Sequence, residues 1–158
     1  MGCDIHAFIE FREGDRWRPF GGELNIDRDY DLFGAMANVR TGGAVVPPRG
    51  IPEDMAYAAD GRWWLYITEA REDYGCVSVE TAEQYQRLGS RVRKDKDGKT
   101  RWVEHPDWHT PSWMTAEEFS SALEKSGHRG DVANAALAAM FYLDGQSSNS
   151  RIVFWFDN

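Results

Sequence analysis

Residues 1–11, MGCDIHAFIEF, decide the fold. Alternation along this run places Cys3, Ile5, Ala7 and Ile9 on one face and Asp4, His6, Phe8 and Glu10 on the other, the period of a β-strand. A carboxylate and an imidazole two residues apart on a strand point the same way. Such a pair can hold a divalent metal, act as an oriented acid/base couple, or satisfy itself within a polar core. At the other end, RIVFWFDN (151–158) is apolar on both faces, as in a strand at the centre of a covered sheet. Two such segments at the chain's ends, dense in apolar residues, are expected to be neighbours in one sheet.

Between them, Glu13-Gly14-Asp15 reads as a hairpin turn leading to a returning strand at 16–20. RDYDLFGAMANVR (28–40) has helical spacing, with Asp27 or Asp29 as N-cap and Gly42-Gly43 as the stop. Three prolines in AVVPPRGIPEDM (44–55) leave Arg49 on an irregular loop. WWLYI (63–67), entered by Asp60-Gly61, reads as a strand or buried segment, and Thr81 with Gln84 as a capping box. Residues 91–94 and 99–104 flank Asp95 to Gly98 as a charged hairpin. Arg87, Arg91, Arg93, Lys94, Lys96, Lys99 and Arg101 make it the basic patch of the chain, either a solvated surface or a surface that steers anions.

HPDWHTPSWMT (105–115) reads as a Pro-punctuated loop carrying His105, Asp107 and His109. It leads into a helix capped by Thr115 and Glu118, stapled by Met114 and Phe119 and stopped by Gly127. A further helix runs from Asp131 to Gly145 with an alanine-rich face. The order of elements predicts an α+β domain: a small mixed or antiparallel sheet with the N- and C-terminal strands central, packed by three or four helices.

The 158 residues are expected to form a single domain (1–158), burying roughly 70% of the unfolded surface. A net charge of -8 argues against a partner that is a long nucleic acid, and no apolar run reaches membrane-spanning length. Two cysteines, Cys3 and Cys76, are too few for a disulfide framework, which points to a cytoplasmic protein. Asp4 beside Cys3 disfavours a thiolate there.

Asp4, His6 and His109 make a candidate two-His, one-carboxylate metal set, with Glu10, Asp107 or Asp157 as further ligands or support. A hydrogen-bonded structural His-Asp pair explains the same residues. Arg28, Arg40, Arg49 and Arg151 stand at element boundaries, where guanidinium forks can converge on phosphate or carboxylate, or pair on the surface.

Taken together, GCDIH (2–6), RDYDLFGAMANVR, PPRGIPEDM (47–55), PDWHTPSWMT (106–115) and RIVFWFDN resemble a family of small bacteriophage and prophage proteins. The matching positions are Cys3, Asp4, His6, Arg28, Asp29, Tyr30, Arg40, Arg49, His109, Ser112, Trp113, Asp157 and Asn158. The stretch 74–104 resembles a variable insertion. The resemblance implies no established reaction, but an accessory protein of the infected bacterial cytoplasm. The leading expectation is a protein that binds a small anionic, nucleotide-like ligand, as an inhibitor of host defence signalling would. Asp4, His6, Arg40, Arg49, His109 and Trp113 would line its cleft. One alternative is metal-assisted phosphoester hydrolysis with a divalent ion on Asp4, His6 and His109. Another is an inhibitor that docks on a host protein through its seven Trp, six Tyr and eight Phe. A homo-oligomer is compatible with each.

Overall fold

The computed structural model describes residues 2–146 and 149–158 and is of the α+β class. The chain divides into two compact units. One comprises the chain up to Ala59 and again from His109 to Asn158; the other is Asp60–Trp108, which contains the expected insertion and is wider than it.

The first unit is built on a four-stranded antiparallel sheet, in which β1 (Asp4–Glu13) and β8 (Ser150–Asp157) are the two central strands. They pair from Asp4↔Asp157 to Phe11↔Ser150. β2 (Arg16–Phe20) flanks β1 through the expected hairpin, and β7 (His109–Met114) flanks β8. The inner face of this sheet supplies Ile5, Ala7, Ile9, Ile152, Phe154 and Phe156 to the core, all buried. α1 (Tyr30–Ala37), α4 (Ala116–Ser126) and α5 (Asp131–Gly145) contribute Phe33, Met36, Phe119 and Met140.

Local chemistry explains where the helices start and stop. Asp29 caps α1, accepting from the N–H groups of Asp31 and Leu32. α1 ends at Asn38 rather than at the glycine pair, because Asn38 adopts the left-handed conformation and its side-chain oxygen accepts from Gly43 and Ala44. Gly34 is required where Thr41 packs on the helix: a Cβ there would run into the Thr41 side chain. The Thr115–Glu118 capping box of α4 is present, with Gly127 as its left-handed C-cap.

One segment of the first sheet differs in type from expectation. Residues 109–114 are β7, where the prolines had suggested a loop. Pro111 is tolerated because β7 is an edge strand, and an irregularity between His109 and Ser112 absorbs the distortion. Thr110 sits there at φ 49, an uncommon conformation for a β-branched residue.

The second unit has its own four-stranded sheet, ordered β4 (Cys76–Ser78), β3 (Trp64–Thr68), β6 (Thr100–Glu104), β5 (Val92–Lys94). β3 and β4 are parallel; the other pairs are antiparallel. The charged hairpin is as expected. α2 (Tyr57–Trp63) absorbs Asp60-Gly61, which had been read as a turn, and α3 (Val79–Arg87) is capped by Ser78 rather than Thr81. Thr81 instead donates its hydroxyl to Glu72. The hydroxyls of Thr81 and Ser78 and the Ser78 N–H hold the Glu72 carboxyl down at about 2. Leu65, Val77, Ala82 and Val103 form the core of this unit.

Candidate functional site

On the outer face of the first sheet, the strand period brings Asp4, His6 and Glu10 of β1 beside Asp157, Trp155 and Arg151 of β8. His6 lies between two carboxylates: Nδ1 is 2.5 Å from Glu23 Oε1 and Nε2 is 3.0 Å from Asp157 Oδ2. Its ring stacks on Trp155 at 5.7 Å. Both ring nitrogens are therefore engaged within the chain. Asp157 Oδ1 also accepts from the Asp4 N–H, and the Asp4 carboxylate receives two hydrogen bonds of 2.9 Å from Arg28.

His109 is elsewhere. The register pairs His6 with Trp155 but His109 with Phe156, and consecutive residues of β8 point to opposite faces. The His109 ring stacks on Phe156 at 6.0 Å and its Nδ1 is 3.0 Å from the Thr110 hydroxyl. Asp4, His6 and His109 thus do not converge, and among the described residues no group of three or more His, Cys, Asp or Glu is placed to hold a metal ion.

The arginines are likewise engaged within the chain. Arg49 forms a bidentate pair with Glu118 at 2.7 and 2.5 Å, donates to the Trp113 carbonyl and lies 4.2 Å above the Trp113 ring. Hydrogen bonding from Arg49 holds the Glu118 carboxyl below its usual range. Arg40, at φ 65, reaches Asn158 and lies 5.8 Å from the Tyr30 ring. Burial pushes the Cys3 thiol up, with Arg40 opposing, so Cys3 is no activated nucleophile. Arg151 is held by Glu10 at 2.8 Å and by Asp54, and stacks on Trp17 at 3.9 Å. Glu10 is wholly buried; burial pushes its carboxyl up against the pull of Arg151. The partners Glu23, Asp54 and Glu118 carry no motif that assigns them to these arginines and histidines in the sequence.

The second unit offers a different kind of place. β3 and β6 pair at Trp64↔Glu104, Leu65↔Val103 and Tyr66↔Trp102, and their ladder stops there. Beyond it, Ile67 and Thr68 still pair with β4, and Thr100 with β5, but not with each other. A groove of about 570 Å³ opens between these strand ends. Its third side is a single stripe of α3, Val79, Ala82, Glu83 and Gln86, at helical spacing. Glu69 and Ala70 continue the β3 side; Lys99 and Arg101 line the β6 side. Arg101 is paired with Asp95 at 2.8 Å, whereas Lys99 is in no ion pair among the described residues. Of the basic patch, Arg87, Arg91 and Arg93 are also paired, with Glu83, Glu104 and Asp60. Comparison of the chain with protein-family models, with curated proteins and with solved structures finds no match. The signals for this groove in the sequence were Lys99 and Arg101 of the basic patch; the helix start at Ser78 was read three residues late, at Thr81, and nothing local announces that a strand ladder will stop.

Proposed function

We propose that the protein binds a small ligand carrying an anionic group in the groove between β3, β6 and α3. The observation that carries this reading is the groove itself. Its volume, about 570 Å³, is within the range of small-molecule sites, and apolar Ile67, Val79 and Ala82 are combined with a few polar groups. Lys99 is the cation available to an anion, since Arg101 is already neutralised by Asp95. The cleft expected around His6 and His109 supports binding less well, because its charged groups are satisfied by one another. Metal-assisted hydrolysis lacks convergent ligands among the described residues. Docking through aromatic residues would fall to exposed Tyr and Phe, such as Tyr57, Tyr74 and Tyr142, because among the described residues no Trp is exposed.

The resemblance of the sequence motifs to those of bacteriophage and prophage proteins makes sequestration of a host signal the biological role to test, and a nucleotide-like compound the first class of ligand. Among the described residues, no helix is long and apolar enough to cross a membrane. Calorimetric titration with adenosine 5′-monophosphate and adenosine 5′-diphosphate tests the reading. Saturable binding that falls at least tenfold in Lys99→Glu and is unchanged in Arg40→Ala supports it. Binding indifferent to Lys99→Glu but lost in Arg40→Ala would return the site to the first unit.

A further inference from the structure

We infer that α5 is a self-association surface, through which two copies of the chain pair with their α5 helices antiparallel. This helix carries two apolar stripes. One, Ala133, Ala136 and Met140, is buried in the core. The other, Val132, Ala135, Ala139 and Tyr142, recurs at intervals of three, four and three residues, the spacing of a seam between paired helices. Val132 is 40% exposed, Tyr142 is 69% exposed and Ala135 is exposed between them. No Lys, Arg or Glu occurs in α5, whereas the open faces of α3 and α4 carry Glu80, Glu83 and Arg87, and Glu117, Glu124 and Lys125. A surface helix that is apolar on both faces has a second contact to make. Beside the exposed stripe lies a second groove, of about 360 Å³, between α5 and the turn after β2, walled by Phe20, Leu24, Val132, Ala135 and Ala139. Gly21 and Gly22 line it too, and a Cβ on either would meet nothing within 4 Å, so the groove has room for a side chain from outside.

A second copy supplies that side chain. When α5 is laid antiparallel on its own image with Ala135 opposite the partner's Ala139, Val132 falls opposite the partner's Tyr142. The alanines then meet at the centre of the seam, and the bulky residues close its two ends. Each Tyr142 enters the groove of the other copy beside Phe20. The arrangement sets the two helix dipoles against each other, which is favourable. It also brings no like charges together: Asp131 falls near the partner's Gly145, and Asp144 is turned away, accepting from the Ser150 N–H. The extent suits a modest dimer, since a specific interface needs about 500 Å² from each copy. At about 200 Å² per aromatic side chain, the exposed parts of Tyr142 and Phe20, 69 and 46%, supply close to half of that. Val132, Ala135, Ala138 and the glycine turn lie around them. This places the contact at the small end of specific interfaces, where association is weak and depends on concentration.

The test is sedimentation equilibrium of the full chain over a concentration series that reaches the millimolar range. The expected result is a reversible monomer–dimer equilibrium with no larger species, because a two-fold interface closes on itself. Ala135→Glu and Tyr142→Ser should each weaken it at least tenfold with the melting temperature retained, since both side chains are exposed. If Ala135→Glu lowers the melting temperature, Tyr142→Ser decides. Register is read by disulfide formation in a Cys76→Ser background: Ala135→Cys mixed with Ala139→Cys should cross-link between chains, and Ala135→Cys by itself should not. A monomer at every concentration overturns the inference. So does a dimer indifferent to Tyr142→Ser, which would lie elsewhere on the chain. Cross-linking of Ala135→Cys by itself in preference to the mixture overturns the antiparallel arrangement.

Discussion

The outer face of the β1–β8 sheet and the end of the β3–β6 ladder are both rich in polar groups, yet they are chemically opposite. On the first, each chemistry-bearing side chain has a partner in the chain: His6 has Glu23 and Asp157, Asp4 has Arg28, and Arg151 has Glu10 and Asp54. At the second, the backbone ladder itself stops and an opening remains. Density of His, Asp and Arg marks cohesion when the groups neutralise each other. An opening with an apolar lining and a lysine outside any described ion pair marks a place with capacity for a ligand.

The sharpest way to break this contrast is Arg151→Ala. If the outer face is cohesive, removing the guanidinium leaves Glu10 buried and unpaired, and denaturant unfolding should show a loss of about 3–5 kcal/mol. Adding Glu10→Gln should restore part of it. An unchanged midpoint would show that the pair contributes nothing to folding.

Acid should act on the same unit. Asp29 is half-buried at the α1 N-terminus, and that partial desolvation by itself raises its pKa. The hydrogen bond from His128 at 2.6 Å and those from Leu32 and Asp31 outweigh this and lower it. Glu118 is lowered by Arg49. A carboxyl depressed by folding stabilises the native state fully above its unfolded value, 3.8 for Asp29 and 4.5 for Glu118, and that contribution is lost as pH falls through the lower folded value. Chemical unfolding followed by circular dichroism should therefore show these contributions intact above about pH 5 and declining below about pH 4. Asp29→Asn and Glu118→Gln should each flatten that decline; an unaltered profile would remove these two groups as its cause.

A smaller effect sharpens the role of Glu118, shared between Arg49 and the cap of α4. Thr115→Ala should cost about 1 kcal/mol, read from the denaturant midpoint, by freeing the Glu118 N–H. The smallest change is expected at the groove. Val79→Arg and Lys99→Glu should leave unfolding within about 0.5 kcal/mol of the parent, because both side chains face an opening. A larger loss there would mean that the groove residues serve the fold.

Much of this was legible in residue order alone. Period-two alternation in 4–10 and the doubly apolar run 152–156 placed two strands at the centre of a sheet. The pattern Thr115, Glu118, Gly127 located a helix, and Glu13-Gly14-Asp15 a hairpin, because capping and turn chemistry act over three or four residues. Tertiary structure alone decided that Pro111 lies in a strand, since only an edge position tolerates it. It also decided that His6 and His109 face opposite ways. That outcome depends on a one-residue step in the register of β7 against β8, and such a step reverses every side chain. The partners of His6, Arg49 and Arg151 lie 17 to 151 residues away in sequence, and β3 and β6 part between residues likewise distant. Pairings at that range are chosen by packing and by the geometry of closure, which local residue patterns do not carry.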